Sequence, residues 1–445
     1  MKDLLLVLAG PKNKNWYINS LPPAGILYLA AYLEKNGCSV DVVDCNVSEF
    51  PFEKAGGYRV ISFSVNIANI ENSASLIRKV RAANPRTKII AGGPLPTVSP
   101  ETFFSLPLDA IFISESERSL CAYMSDPENE GNKGYYSSDP AGNWRFNGPA
   151  GYISDLDELP FPALDKINMR DYYTPVKKAS PVSVLISSRG CPFKCSFCCK
   201  TMGNEYRARS AENVADEIEW QVKKLGVREI AVYDDNFTLD ERRVERICAL
   251  IRKRNIKVSL QLTNGVRADR LNFGLLKEMK AAGFWMVAFA PESANALTLE
   301  KINKGFELDA VKKCLSWCRK LGIRTWAFFI VGFPWEDGGM FRKTVEFASA
   351  IDADIVHFTN CVPLPGTELY RHVYGKEAAW PCEDTGFFCE SRFAEKGLTA
   401  RAYRSLFFRN PARIFRLLRV FSPVDLAKTA FYALRSGNIL PAENS

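Results

Sequence analysis

The densest chemistry in the chain is the run Gly190-Cys191-Pro192-Phe193-Lys194-Cys195-Ser196-Phe197-Cys198-Cys199. Three thiolates within eight residues, those of Cys191, Cys195 and Cys198, can converge if the loop curls around one centre. On a four-iron cluster, three protein ligands leave one iron open, whereas most electron-transfer clusters use four cysteines. An open iron site is what reductive cleavage of a sulfonium requires. Zinc and simple packing are the competing readings. Structural zinc usually takes paired Cys-x-x-Cys or Cys/His elements and a fourth ligand, and Cys199 is too close to Cys198 in sequence to serve. The run also directly follows an expected barrel strand, where functional loops belong. The cluster is the preferred reading.

That placement depends on the elements around it. From Ser183 onward, short apolar runs predict strands at Val182–Ser187, Glu229–Tyr233, Lys257–Leu262, Trp285–Phe289, Thr325–Val331 and Asp354–Thr359. Helical periodicity separates them at Ala211–Leu225, Glu241–Arg254, Phe273–Ala282, Leu308–Leu321 and Met340–Ile351. Six strand–helix repeats predict a parallel TIM-type barrel, complete or partial, over residues 181–370. The first 150 residues alternate in the same way. Strands are expected at Leu4–Ala9, Val40–Asp44, Val60–Ser64, Lys88–Ala91 and Ala110–Ile113, with helices at Ala24–Asn36 and Glu71–Ala83. This predicts a doubly wound parallel sheet, α/β in class, with ligands at the carboxyl ends of its strands. A stretch rich in Gly, Asn, Ser and Asp from Asp126 to Gly151 reads as a linker or an exposed hairpin. Residues 151–180 are expected to link the two units, and 371–445 to form a mainly helical, basic extension.

Composition narrows the function classes. The chain has 445 residues, enough for two or three domains, and 13 cysteines. No secretory signal is recognisable, so reduced thiols are expected rather than a disulfide framework. Only two histidines occur, His357 and His372, so His-based zinc sites and Ser/His/Asp hydrolysis are poorly supplied. No apolar run is long enough to span a membrane, and a cytoplasmic protein is expected. Of the net charge of +8, the segment from Arg401 to Asn438 carries +7: eight Lys/Arg against Asp425.

The Cys-x3-Cys-x2-Cys spacing, with Phe197 before the third cysteine, resembles the signature of the radical S-adenosylmethionine superfamily. The resemblance covers roughly Val182–Leu369. It continues through Tyr206-Arg207-Ala208-Arg209-Ser210, Asp234-Asp235-Asn236-Phe237, Ala290-Pro291-Glu292-Ser293, Lys304-Gly305, Val331-Gly332-Phe333-Pro334-Trp335-Glu336 and Pro363-Leu364-Pro365-Gly366-Thr367. It implies a [4Fe–4S] cluster on Cys191, Cys195 and Cys198, and S-adenosylmethionine cleaved to an adenosyl radical that takes hydrogen from substrate. Candidate S-adenosylmethionine contacts are Phe197, Asp234, Asn236, Asn264, Arg267, Glu292, Ser293 and Gly332. Glu292 and Ser293 would meet the ribose hydroxyls; Asp234 and Asn236 the methionine amino group; Asn264 and Arg267 the carboxylate or ribose; Gly332 the adenine. Helix capping would equally explain Glu292, Asp234 and Asn236, a salt bridge Arg267, and a turn Gly332.

Ahead of the barrel, Leu21-Pro22-Pro23-Ala24-Gly25 through Leu33, with Gly37, Asp44 and Ala91-Gly92-Gly93-Pro94, resembles the cobalamin-binding domains fused to such barrels. Ser64, Gly92, Gly93, Ser114 and Glu117 are the candidate cobalamin contacts. Leu95 stands where many relatives have histidine, Ser114-Glu115-Ser116-Glu117 replaces Gly-x-Gly-Glu, and no histidine is offered to cobalt. A doubly wound domain without cofactor is the alternative. The combined resemblance implies a radical enzyme methylating an unactivated carbon of a small or lipid-like substrate, with flavodoxin or ferredoxin as electron donor. Radical cyclisation, rearrangement or oxidation is the rival. A methylthiotransferase and a non-catalytic Fe–S or zinc protein are the remaining readings. No nucleic-acid partner is expected. The aromatic and cationic residues of Phe407–Phe421 suggest a helix packed on the barrel with a solvated basic face, or one touching anionic membrane. Cys382, Cys389 and Cys361 read as ordinary thiols, and Cys38, Cys45, Cys121, Cys248, Cys314 and Cys318 as core.

Overall fold

In a computed structural model, residues 2–11, 21–139, 141–375, 397–421 and 424–425 are described. The chain divides into two units, one of Met1–Tyr172, Cys199–Arg207 and Leu364–Phe387, the other of Tyr173–Cys198, Ala208–Pro363 and Phe388–Ser445.

The first unit holds a sheet of β1 (Lys2–Leu8), β2 (Val40–Asp44), β3 (Tyr58–Ser64), β4 (Lys88–Gly92), β5 (Ala110–Phe112), β6 (Tyr135–Ser138) and β7 (Trp144–Phe146). The order is β2-β1-β3-β4-β5-β6-β7 and the first five strands run parallel. Successive residues of β1 face opposite sides: Leu5 and Val7 enter one core, Leu4 and Leu6 the other. A strand buried on both faces reads as a continuous apolar run, as expected for a doubly wound sheet. The Asp126–Gly151 stretch is no linker. Its residues form the β6–β7 hairpin, added antiparallel to β5. Trp144 secures it, donating to the Phe104 carbonyl at 3.0 Å and stacking on that ring.

The second unit is a six-stranded parallel sheet in chain order: Val182–Leu185, Glu229–Val232, Ser259–Val266, Phe284–Glu292, Arg324–Val331 and Ile355–Asn360. Helices Ala211–Leu225, Glu241–Lys253, Phe273–Ala281, Leu308–Leu321 and Gly338–Ala350 separate them. Their starts have readable causes: Ser210, Asp240, Asn272 and Asp337 each cap a helix by accepting from a first-turn N–H. Gly226 and Gly322 end two helices in the left-handed conformation.

The tail packs on this barrel. Helix Leu398–Arg409 buries Leu398, Ala402 and Leu406, and Tyr403 bonds His357. Val420 and Phe421 join Val176, Trp285, Met286 and Ile355 in one apolar cluster. The expected outward basic face is only partly found: Arg404, Arg409 and Arg419 are exposed, but Arg413 and Arg416 turn inward. Arg413 is buried, and its guanidinium donates to the carbonyls of Ala348, Ser349, Ile351 and Ala353, capping helix Gly338–Ala350. Arg409 pairs with Glu346 and Arg416 with Asp352. Cys248, Cys314 and Cys318 are buried as expected, while Cys38, Cys45 and Cys121 are only partly so; Cys361 is buried too. Cys382 and Cys389 lie outside the described residues.

Candidate functional site

The cysteine loop leaves the first barrel strand and is held from beneath. Gly190 has φ +80°, a left-handed turn that glycine adopts without strain. Its N–H donates to Asp235 at 2.8 Å. Asp234 accepts from the Ser187 N–H and from the hydroxyls of Ser187 and Ser188, each at 2.6 Å. Both carboxylates at the end of strand two thus brace the entry to the loop.

The far side of the loop rests on the segment after helix Ala296–Lys301. Ser196 N–H donates to the Ile302 carbonyl at 3.0 Å, its hydroxyl to Lys301 at 3.2 Å, and Asn303 to the Lys194 carbonyl at 3.0 Å. Arg267 ties the two segments together. Its guanidinium stacks 3.8 Å from the Phe193 ring centroid, and donates to the carbonyls of Lys304 (2.7 Å) and Gly305 (2.9 Å) and to Asp269. A rigid planar fork suits this many-sided role.

Cys191 and Cys195 are partly buried and Cys198 is exposed. Burial pushes the Cys195 thiol up, opposed by the nearby cations Lys304 and Arg267. Cys199 differs: it faces the Pro365 carbonyl at 3.4 Å, and burial raises it to about 11. Among the described residues, no three His, Cys, Asp or Glu side chains converge closely enough for one metal ion. A single zinc needs such convergence. A four-iron cluster takes its thiolates on separate irons, so its ligands stand apart.

The other candidates sort by how far the protein itself uses them. Asp234 and Arg267 have their hydrogen-bonding groups taken up in bracing the loop. Asn264 is exposed and donates to the Asp234 carbonyl at 2.9 Å. Asn236 is 4 % exposed, and its amide oxygen has no hydrogen-bond partner among the described residues. Asn360, at the end of strand six, presents the same feature and was not singled out in the sequence. Two orphaned acceptors at carboxyl ends of barrel strands fit a ligand that donates, such as an ammonium. Phe197 is partly buried, with the Lys304 ammonium 5.8 Å from its ring centroid.

Glu292 ends the fourth strand after a bulge, at φ +65°. A non-glycine residue held there stores about 1–3 kcal/mol of strain, a feature that clusters at functional sites. Its carboxylate is buried and accepts from Lys304 at 2.8 Å. Ser293 is fully buried and lies within hydrogen-bond distance of Glu336 and Thr344. Glu336, missed as a site residue, organises this corner. It accepts from the N–H groups of Gly332 (3.0 Å) and Phe333 (3.3 Å) and the hydroxyl of Thr298 (3.1 Å). Burial raises its carboxyl despite these donors. Gly332, at φ +80°, makes the turn this requires. The only sequence signal was the glutamate four residues after that glycine.

In the first unit, Ser64, Gly92, Gly93, Ser114 and Glu117 lie at or just beyond the carboxyl ends of β3, β4 and β5. The strand order places its reversal between β1 and β3, where ligands of such sheets bind. Gly93, at φ +104°, leaves no room for a cofactor to exploit: an added Cβ would stand 3.0 Å from the backbone of Val65. Its smallness serves the turn. Ser114 takes φ +62°, a glycine-like conformation, with its N–H on the Thr97 hydroxyl at 2.9 Å. Glu117 is buried in the first turn of helix Glu117–Ser125. Beside them Glu115, which the sequence did not single out, forms a buried two-point ion pair with Arg207 at 2.8 and 2.9 Å. Ser64, Gly92, Ser114 and Glu117 are compatible with a ligand at the strand ends, whereas Gly93 serves the backbone turn.

Comparison with known proteins agrees with both halves. Residues 185–348 match the Radical SAM superfamily and residues 18–123 the B12 binding domain. The uncharacterized methyltransferase PH0819 of Pyrococcus horikoshii is 30% identical over 369 residues, covering 79% of this chain and 78% of that one. The cytidylyl-2-hydroxyethylphosphonate methyltransferase of Streptomyces wedmorensis is 26% identical over 413 residues, 78% of this chain and 77% of its own. Among solved structures, the cobalamin-dependent S-adenosylmethionine radical enzyme OxsB, with aqua-cobalamin and S-adenosylmethionine bound, superposes with TM-score 0.75 at 17% identity. The match covers 98% of this chain and 71% of that one.

Proposed function

We propose, from the premise that the chain belongs to the radical S-adenosylmethionine superfamily and carries its B12-binding domain, that it methylates an unactivated carbon of a small or lipid-like substrate. The observation that carries this reading is the loop of Cys191, Cys195 and Cys198, pinned at the carboxyl end of the barrel by Arg267, Asp235 and the 301–305 segment. Those three thiolates would hold the [4Fe–4S] cluster, and Asn236, Glu292, Ser293 and Gly332 would line the S-adenosylmethionine site. Ser64, Gly92, Ser114 and Glu117 would border the cobalamin. When bound, the cluster supplies the electron that splits the sulfonium, and the corrinoid carries the methyl group.

The residues of the chain bind, orient and hold charge. Lys304 and Arg267 place two cations beside Cys195, favouring its thiolate. Asn236 offers an unused acceptor to an ammonium, and Glu336 fixes the Gly332 turn against which a planar base can lie. A low-potential one-electron donor such as flavodoxin or ferredoxin would reduce the cluster. The test is anaerobic reconstitution. The native chain should hold about four irons and form 5′-deoxyadenosine and a methylated product with a strong reductant. Ala at Cys191, Cys195 or Cys198 should abolish iron retention and turnover, and Cys199→Ala should not. Full turnover in any of the first three would sink the assignment.

A further inference from the structure

The tail turns its polarity inside out. Over 413–421, Arg413, Arg416, Leu417, Val420 and Phe421 recur at helical spacing and face the barrel, where the arginines meet Asp352 and backbone carbonyls. The opposite side of that stretch is apolar: Ile414, Phe415 and Leu418 are 50, 72 and 47 % exposed; Phe408, at the end of the preceding helix, is 89 % and Val424, shortly after the stretch, 63 % exposed. Among the described residues these are most of the large exposed hydrophobics of the second unit, and they fall within seventeen residues of chain. An exposed apolar group of this kind marks an interaction surface.

Charge decides what it faces. From Leu398 to Asp425, the span that carries the apolar groups, there are six arginines and one acidic residue, Asp425, which accepts from Tyr173. Glu346 and Asp352 hold Arg409 and Arg416 closely, whereas Arg419 stands 3.9 Å from Asp354, which also serves Arg324 at 3.8 Å. Arg404 is exposed. The face is therefore apolar with a cationic surround. A second copy of this chain seated there would bring Arg404 and Arg419 against their own counterparts, while the nearby acids Glu346 and Asp352 are already engaged by Arg409 and Arg416. An anionic bilayer accepts both parts, apolar side chains at the acyl boundary and guanidinium groups among phosphates. Among the described residues no helix is long and apolar enough to cross a membrane, so contact would be at the surface.

We infer that Phe408, Ile414, Phe415, Leu418 and Val424 form a docking surface for an anionic lipid bilayer, independent of which substrate the barrel takes. The experiment is flotation of the full reconstituted chain with vesicles of phosphatidylcholine and phosphatidylglycerol, and with phosphatidylcholine alone. The native chain should float with the anionic vesicles and much less with the neutral ones. Phe408→Ser with Phe415→Ser should weaken partitioning by about a hundredfold, since each buried aromatic contributes a tenfold factor or more. Arg404→Ser should weaken it about fivefold. Both variants change exposed side chains, so unchanged melting and unchanged 5′-deoxyadenosine formation should accompany the loss. Absence of flotation by the native chain overturns the inference, as does undiminished flotation of the double serine variant. If the double variant instead turns a native dimer into monomers in sedimentation, the face is a subunit interface and the bilayer is excluded.

Discussion

Two buried glutamates sit at opposite ends of the same barrel, and the protein treats them differently. Glu229, at the start of strand two, accepts four hydrogen bonds. Lys178 and Ala179 donate from backbone to one oxygen; Gln261 and Trp285 donate from side chains to the other. Glu292, at the end of strand four, has one partner given by the structure, Lys304, and a strained backbone. The first arrangement is complete and locks the chain entering the barrel at 174–179. The second keeps acceptor capacity at the end where the cysteine loop and the orphaned amides of Asn236 and Asn360 also lie. A satisfied carboxylate belongs to the fold; an under-used one in a strained position is available to a ligand.

Isosteric substitution tests the contrast most strongly. In Glu229→Gln, whichever way the amide turns, its NH2 group meets two donors. Leaving those unsatisfied should cost about 3 kcal/mol in chemical denaturation. Glu292→Gln still offers Lys304 an oxygen but leaves its buried charge uncompensated, so it should cost about 3 kcal/mol as well, while S-adenosylmethionine binding measured by calorimetry falls at least tenfold in this variant alone. Unchanged binding in Glu292→Gln, or an equal loss of binding in Glu229→Gln, would erase the distinction between the two ends.

A middle-sized effect is expected at Arg267. Lysine keeps the charge but loses the stacking on Phe193 and the simultaneous donation to Asp269, Lys304 and Gly305. Arg267→Lys should cost about 2 kcal/mol and reduce iron retention in gel filtration, whereas Arg252→Lys, on an exposed ion pair with Glu278, should change neither.

An effect of similar size, but confined to acid pH, concerns the tail. Burial lowers the His357 imidazole to about 4, and Tyr403 meets it at Nδ1. The folded state therefore binds this proton less readily than the unfolded chain. Stability from this site is full above about pH 6.5 and is lost as pH falls towards the folded value near 4. Between pH 7 and 4.5 the loss should be on the order of 2 kcal/mol, and His357→Phe should flatten that part of the profile. An unaltered slope in the variant would assign the acid sensitivity to other groups.

The sequence was most legible where one face or two of an element are buried. Strand and helix spans in both units agree with apolar periodicity to within a few residues, because burial demands that pattern. At Asp126–Gly151 the turn-rich composition left a linker and an exposed hairpin both open, and it is the hairpin, held by Trp144, that forms. In the tail the packing on the barrel was legible, but arginines at helical spacing suggest a solvated face, and Arg413 and Arg416 of that face turn inward. Periodicity states which residues share a face, not which way that face points. Asp352, Asp354 and the open end of helix Gly338–Ala350 turn it inward, and none is near in sequence.

For the site, cysteine spacing alone picked out the three candidate ligands, since eight residues of loop keep their thiols in one neighbourhood of the barrel. Six alternations of strand and helix likewise determined that the loop lies at the carboxyl end of a parallel sheet. Only the tertiary structure decided which of the neighbouring polar residues remain available. Asp234 and Arg267 have the right chemistry to touch a ligand and are taken up by the protein; Asn236 is buried and Asn360 partly buried, each with a shielded acceptor unused. A side chain's type fixes how many hydrogen bonds it can make, but its vacancies depend on groups brought to it from other strands, and that assignment exists only in the folded chain.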